Sequence, residues 1–561
     1  MTMKTYKSIL AVGLVSLAAV SCASKLDVPN PNKITDEQMR EFMQSDEKTQ
    51  EQVLTGLVGG LNGNMRVSNA AINGGYSNSG QNEFYKDFFM VMESGDIVEG
   101  TKANPGTFTT WYQNKADNLY WTTIQDVNNY GYYLAAVYKI SNAQKALDFL
   151  TKESCEAGSA KMKIARAQAL TSKAYGYARL MERYTDLKDP ASTTAQGMPI
   201  YDKYAYNTPV APSSVADTWK YIADMLDEAV ALFHQTENKG YTTGITETST
   251  TYDLDCGVAQ YIRAQVALDR KDYATVVDAY NDVIAKYPSL IKAEDYGMLA
   301  SKVADVNATQ DRGNGKRNYC GGAFNAENNA FYNITKNPEA IFSTIGGSNQ
   351  CWTVRGLNNL KNSESGYMQV DADIVNALSD ADVRKAVITK EATPDFWTYS
   401  VASGDTTWYS YTMPAYTSMK FAATEGRDRG NYAEHTNNVT KSDEAVFRTS
   451  ALLLMAAEAY TMNNQESQAE ALLNKLLEAR TLPGQAVMTV AGTKKGSMLD
   501  FVKLQWRIEM WGEGDYAFFN QKRWGSQFSR GANHWSTKGV EAQGWTWEIP
   551  QKERQGNPNW K

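Results

Sequence analysis

Histidine is nearly missing from this chain. Among 561 residues only His234, His435 and His534 occur, far apart from one another. That scatter argues against a multi-histidine metal centre and leaves few of the side chains that most often act as general bases. No H-E-x-x-H and no C-x-x-C is present, so zinc-peptidase, zinc-ribbon and thioredoxin-like chemistry is not indicated. Proline is also scarce, at 14 residues. With 42% hydrophobic and 21% charged residues, the composition is that of a folded globular protein, neither disordered nor collagen-like. No long Lys/Arg run appears and the net charge is -7, which disfavours a nucleic-acid binder.

Other catalytic signatures fail at the level of spacing. Gly75-Tyr76-Ser77-Asn78-Ser79 is not G-x-S-x-G, and Gly313-Asn314-Gly315-Lys316 lacks phosphate-loop spacing and is followed by Arg317. Asp371-Ala372-Asp373 with Asp380 and Asp382 lacks the central glycine of a calcium loop and reads as a solvated acidic loop. Arg507, Glu509, Glu513 and Arg523 have the spacing of a structural ion-pair network more than of an acid/base pair. The expectation is a protein without a cofactor or catalytic residues.

What the chain does contain begins at its N-terminus. Lys4 and Lys7 precede an apolar stretch from Ile9 to Val20, too short to span a bilayer permanently. Leu17-Ala18-Ala19-Val20-Ser21-Cys22 then places a cysteine after small residues. The pattern resembles a bacterial lipoprotein signal, with residues 1–21 removed, Cys22 acylated and residues 22–34 serving as a tether. Multiple acyl chains suffice for stable anchoring. No later segment approaches 18 consecutive apolar residues. Cys155, Cys256, Cys320 and Cys351 remain; in an exported protein they either pair or stay as free buried thiols.

Helical periodicity marks the body of the chain. It runs over 118–150 and 164–184, and over a segment opened by Ser214 and Asp217 as a capping box, with Trp219, Ile222, Leu226, Val230 and Phe233 on one face. Two segments share a finer rhythm. Aligned on Ala264 and Ala457, the residues 12, 16 and 19 positions later are Val276, Tyr280 and Val283 in one, and Ala469, Leu473 and Leu476 in the other. Small residues where helices touch, that rhythm and a closing proline resemble the tetratricopeptide unit, which needs stacked neighbours. Four hairpins are expected, near 118–150, 164–234, 256–288 and 446–483, in one all-α domain spanning 35–561. Between them, about 60–117, 289–445 and 526–561 are polar, rich in Gly, Asn, Ser, Thr and aromatics, and without a clean period. Loops this long are usually functional.

An ordered set of motifs then points to a family. It comprises Cys22; Ile164-Ala165-Arg166-Ala167-Gln168-Ala169-Leu170 leading to Tyr175-Gly176-Tyr177-Ala178-Arg179-Leu180; and Gly197-Met198-Pro199-Ile200. Asn337-Pro338-Glu339-Ala340-Ile341-Phe342 and the hairpin Phe447–Arg480 follow. Near the C-terminus come Arg507-Ile508-Glu509-Met510-Trp511-Gly512-Glu513-Gly514, Lys522-Arg523-Trp524-Gly525 and Trp547-Glu548-Ile549-Pro550. Together they resemble the SusD/RagB family of outer-membrane lipoproteins that capture nutrients in Bacteroidetes. Arg448-Thr449-Ser450 departs from the commoner Arg-Tyr-Ala, and the N-terminal third matches loosely.

The resemblance implies a SusD-like, mostly helical fold whose four hairpins support a loop-rich ligand face. It also implies a place on the cell surface as the lid of a SusC-type TonB-dependent transporter. The chain is rich in Tyr (33) and Trp (13), whose flat apolar rings and polar edges suit sugars. Phe84, Trp397, Tyr399, Trp408, Tyr409 and Tyr411 sit in non-periodic stretches beside amides and hydroxyls. In related proteins the ligand face draws on stretches corresponding to about 75–115 and 300–355. This favours Tyr85, Trp111, Tyr319 and Trp352 as platforms, with Asn82, Asp96 and Asn114 as polar partners. Oligosaccharide capture is the first reading; RagB-type peptide capture and a glycan-degrading enzyme are the alternatives.

Overall fold

The computed structural model describes residues 36–65, 94–99, 132, 134–204, 209–241, 253–301, 329–331, 337–343, 368–391, 393–402, 405–413, 415–420, 445–526, 529–534 and 546–560. Contacts divide the chain into two units, residues 1–53 and 54–561. In the first, α1 (Asp36–Met43) is followed by Asp46, whose carboxylate accepts from the backbone N–H and the hydroxyl of Thr49. That bond caps α2 (Glu47–Met65), which ends in the second unit with Leu54, Val58 and Leu61 buried at helical spacing.

The second unit is mostly helical. A π-helical stretch, Leu134–Ser141, leads into α3 (Asn142–Leu147); α4 (Lys152–Glu156) and the long α5 (Ala160–Tyr184) follow. α6 (Val215–His234) packs on α5, α7 (Cys256–Asp269) on α6, and α8 (Tyr273–Ile284) on α7. The π-helical stretch packs against α5 at Gly176, where a Cβ would come within 2.8 Å of Ile140 and 2.9 Å of Lys139. Only glycine permits that approach.

Capping follows the sequence closely. Ser159, Ser214, Asp255 and Asp272 each accept a backbone N–H three residues on. At Ser214 the expected reciprocal bond takes another form: its hydroxyl donates to the Asp217 carboxylate at 2.7 Å.

The stretch 289–445, expected as irregular, holds regular structure. β1 (Ile97–Glu99) pairs antiparallel with β5 (Met368–Val370), β2 (Gln196–Pro199) with β3 (Pro212–Ser214), and β4 (Ala340–Ser343) with β8 (Ala445–Arg448). The short helices α9 (Ala372–Ala377) and α10 (Val383–Ala386) follow β5. Five aromatics expected in loop lie on a two-stranded ribbon, β6 (Thr393–Ala402) with β7 (Asp405–Met413). Its register sets Tyr399 opposite Trp408 and Phe396 opposite Tyr411. Long aromatic and β-branched runs favour strand even without strict alternation.

Beyond β8, α11 (Thr449–Met462) and α12 (Glu466–Arg480) form the last hairpin, and α8 packs directly on α11 although 164 residues lie between them. Ala264, Ala457, Val276, Tyr280, Val283, Ala469, Leu473 and Leu476 are all buried. The matched rhythm of the two hairpins is therefore a shared core. Turns at Lys271 (φ 62) and Asn464 (φ 57) reverse each pair. The chain closes with α13 (Val490–Thr493), α14 (Met498–Glu509), α15 (Tyr516–Trp524) and α16 (Gln551–Gly556).

Candidate functional site

Of the residues expected to meet ligand, Asn82, Tyr85, Trp111, Asn114, Tyr319 and Trp352 lie outside the described residues, as do Cys22, Cys320 and Cys351. Asp96 is described, and its place differs from the expectation. It is buried, and Arg507 Nε donates to its Oδ1 at 2.6 Å while Trp511 Nε1 donates to its carbonyl at 2.8 Å. Burial pushes its carboxyl up to about 6, against the pull of Arg507. A charged residue in a polar stretch looked exposed; its partners stand more than 400 positions away and left no local trace.

Around Asp96 three distant stretches are tied together. β1 pairs with β5, Gln521 Nε2 donates to the Ser94 carbonyl at 2.9 Å, and His534 Nε2 approaches the Gly95 carbonyl at 3.0 Å. Asp371 Oδ1 caps α9 by accepting from Asp373 and Ile374 N–H, and Asp371 Oδ2 accepts from Gly531 N–H at 2.7 Å. The acidic group near 371–382 is thus only partly solvated: Asp373 and Asp380 are exposed. Asp371 and Asp382 are buried, Asp382 holds Arg384 at 2.7 Å, and Asp380 pairs with Lys385 at 2.9 Å.

The four charged residues of the C-terminal motif separate into three networks. Arg507 serves Asp96. Arg523 pairs with Glu458 and reaches Asp269 at 3.5 Å. Glu509 and Glu513 enter a buried hub. Arg448 contacts Glu339 at 2.6 Å, Glu509 at 2.8 Å and Glu513 at 2.6 Å. Arg480 contacts Glu339 at 2.9 Å and Glu509 at 2.7 Å, Arg384 reaches Glu509 at 3.3 Å, and Lys420 pairs with Glu513. Four cations (Arg384, Lys420, Arg448, Arg480) thereby face four carboxylates (Glu339, Asp382, Glu509, Glu513). Burial alone would raise the Glu509 carboxyl; the Arg480 and Arg448 guanidinium groups hold it well below the usual range. Arg448 and Lys420 also donate to the Glu509 carbonyl, both at 2.8 Å, so cations occupy the C-terminus of α14. These carboxylates are committed to arginine, an arrangement for rigidity rather than proton transfer.

One cleft is well formed among the described residues. Its cavity is about 360 Å³, lined by Tyr132, Tyr177, Leu180, Tyr201, Tyr204 and Asn557 together with residues of the π-helical stretch. Its polar groups are largely spent internally: Tyr177 donates to the Pro199 carbonyl and accepts from Tyr201 N–H, both at 3.0 Å, and Asn557 donates to the Val210 carbonyl. The result is an aromatic-walled recess. Sequence reasoning missed it because its walls come from residues 132–209 and from 553–557, far apart in the chain.

Stacked helical hairpins with a long insertion between the last two define a helical scaffold. The SusD family pattern matches residues 42–561, and the chain belongs to that family. No curated protein matches it. Among solved structures, a SusD-like carbohydrate-binding protein of Bacteroides vulgatus is 16% identical with a TM-score of 0.59, covering 91% of this chain and 97% of its own. A SusD superfamily protein of Bacteroides fragilis is 15% identical, TM-score 0.59, covering 91% and 98%. Surface glycan-binding protein A of Bacteroides thetaiotaomicron, solved with laminarihexaose, is 14% identical, TM-score 0.53, covering 90% and 98%. The expected mostly helical SusD-like fold is what the chain adopts. Among the described residues no helix is long and apolar enough to cross a membrane.

Proposed function

We propose that this protein is a cell-surface lipoprotein that captures an oligosaccharide and passes it to a SusC-type TonB-dependent transporter, for which it acts as the lid. The observation that supports the reading is membership of the SusD family across residues 42–561. Its likeness in fold to a surface glycan-binding protein solved with laminarihexaose agrees with a glycan as cargo. Tyr85, Trp111, Tyr319 and Trp352 are the proposed stacking platforms, with Asn82 and Asn114 as polar partners; Asp96 is set aside because it is buried. Anchoring through Cys22 holds the protein in the outer membrane. Cys22→Ala should release it from the membrane fraction with its melting temperature unchanged, and a variant that still fractionates wholly with membranes would refute the anchor.

The decisive experiment is binding of the purified chain to parallel glycan and peptide arrays, followed by calorimetry on the best ligand. A glycan hit is expected, retained unchanged after incubation. Peptide binding alone would move the protein to the peptide-capturing branch, and turnover would make it an enzyme. A ring stacked on a sugar contributes on the order of 1–2 kcal/mol by analogy with base stacking. Trp352→Ala should therefore weaken binding about tenfold with little change in melting temperature. A large melting shift with intact affinity would return Trp352 to the core.

A further inference from the structure

We propose that His234, Cys256 and Asp282 form a site for one divalent metal ion of the zinc type, set between three stacked helices. A ring nitrogen of His234, Sγ of Cys256 and a carboxylate oxygen of Asp282 all lie within 4.8 Å of one another. They come from the last residue of α6, the first of α7 and the later part of α8. No stretch of sequence joins them; the hairpin stack does. Imidazole, thiolate and carboxylate are the three donor types zinc accepts, and three protein donors leave a fourth position open. Metal–ligand bonds of about 2.0–2.3 Å imply donor separations of roughly 3.3–3.5 Å in a tetrahedral site. The widest pair needs to close by at most about 1.5 Å.

A second observation points into the same place. The Tyr241 hydroxyl sits beside the Asp282 carboxylate and the Cys256 thiol, in a residue 4% exposed, yet neither meets it with the geometry of a full hydrogen bond. Buried polar groups are rarely left this way. The chain reaches that position through three consecutive left-handed residues, Asn238 (φ 51), Lys239 (φ 54) and Gly240 (φ 76). Two of the three are not glycine, so the turn is strained to bring Tyr241 back onto the cluster. A water in the open metal position would give the hydroxyl its missing partner.

The surroundings fit as well. Gln260 Nε2 donates to Asp282 Oδ2 at 2.7 Å, which orients the carboxylate, and His234 Nε2 stands 2.9 Å from the same oxygen. Cys256 is a free, buried thiol, whereas the His234 side chain is 35% exposed and provides the way in. On binding, the Cys256 thiol loses its proton to solvent and its sulfur bonds the metal. The His234–Asp282 hydrogen bond gives way to two metal bonds. Nothing is oxidised.

The test is titration of the purified full chain, kept reduced with a phosphine, with zinc by calorimetry and with cobalt(II) by absorption. One equivalent of cobalt(II) should produce a near-ultraviolet sulfur-to-cobalt band that zinc displaces. Cys256→Ser should abolish the band, whereas Cys155→Ser should leave it. His234→Ala alters an exposed helix end and should keep the fold. It should weaken zinc binding by more than about tenfold, since even the outer partners of metal ligands are worth that much. Absence of a thiolate band in the unsubstituted chain, a band that survives Cys256→Ser, or unchanged zinc affinity in His234→Ala would each overturn the proposal.

Discussion

The hairpin stack α7–α8 and the hub around Glu509 are equally hidden from water, but they are held by different forces. In the stack, Val276, Tyr280, Val283 and the small Ala264 are all buried, and stabilisation comes from apolar area removed from solvent. Each contact is weak and replaceable. In the hub, arginines and glutamates, all buried except the slightly exposed Glu513, are drawn from residues 339 to 513, and the desolvation of each ion is offset by its partners. One member lost leaves the others uncompensated. A core of the first kind grows by adding repeats, whereas one of the second kind locks separate excursions into a single arrangement.

The largest effect should come from breaking the hub. Glu509→Gln leaves Arg384, Arg448 and Arg480 short of a carboxylate and should destabilise the protein by about 3–5 kcal/mol, read by denaturant unfolding. The same measurement on Leu473→Ala in the last hairpin should give about 3 kcal/mol, the price of a cavity in an apolar core. The contrast sharpens in hydrogen exchange. Leu473→Ala should loosen amides near α11–α12, whereas Glu509→Gln should loosen β4, β8 and the C-terminus of α14 together. If both variants loosen the same local set, the hub is not a long-range lock.

Lys522 gives the finest test. It is a buried cation like those of the hub, yet among the described residues its Nζ donates to two backbone carbonyls, of Glu182 at 2.6 Å and Arg183 at 3.3 Å. Burial pulls its pKa down to about 7, from 10.5. Because the folded value lies below the unfolded one, the unfolded chain binds more protons between pH 7 and 10.5, and stability rises with pH in that window. The slope due to this one group is at most on the order of 1.4 kcal/mol per pH unit. Lys522→Met should lose that rise when unfolding is compared at pH 7 and pH 10. An unchanged slope would show that the backbone carbonyls already stabilise the charged form.

Much of the scaffold was legible because its signals are local. The cap at Ser214, the turns at Lys271 and Asn464, and the matched rhythm of the two hairpins each lie within a few helical turns of sequence. A buried helical face imposes a 3.6-residue period whatever it packs against. The excursions were less legible. Aromatics of the β6–β7 ribbon looked like loop, and Asp371 and Asp382 looked solvated, because short strands and caps leave little periodicity.

The sequence by itself determined the helix pairs within 164–234, 256–288 and 446–483 and, through the ordered motifs from Ile164 to Trp547, the family; most of the first expected hairpin, residues 118–131, lies outside the described residues. Only the tertiary structure decided which charges meet. It sent Asp96 to Arg507 rather than to solvent, split Arg507, Glu509 and Arg523 among three networks, and set His234 beside Cys256 and Asp282. Hydrophobic burial is non-directional and needs only a pattern along one element, so it is written locally. An ion pair or a metal site depends on two or three side chains arriving within a few ångströms from unrelated positions. In a chain where one residue in five is charged, nothing short of the fold selects those partners.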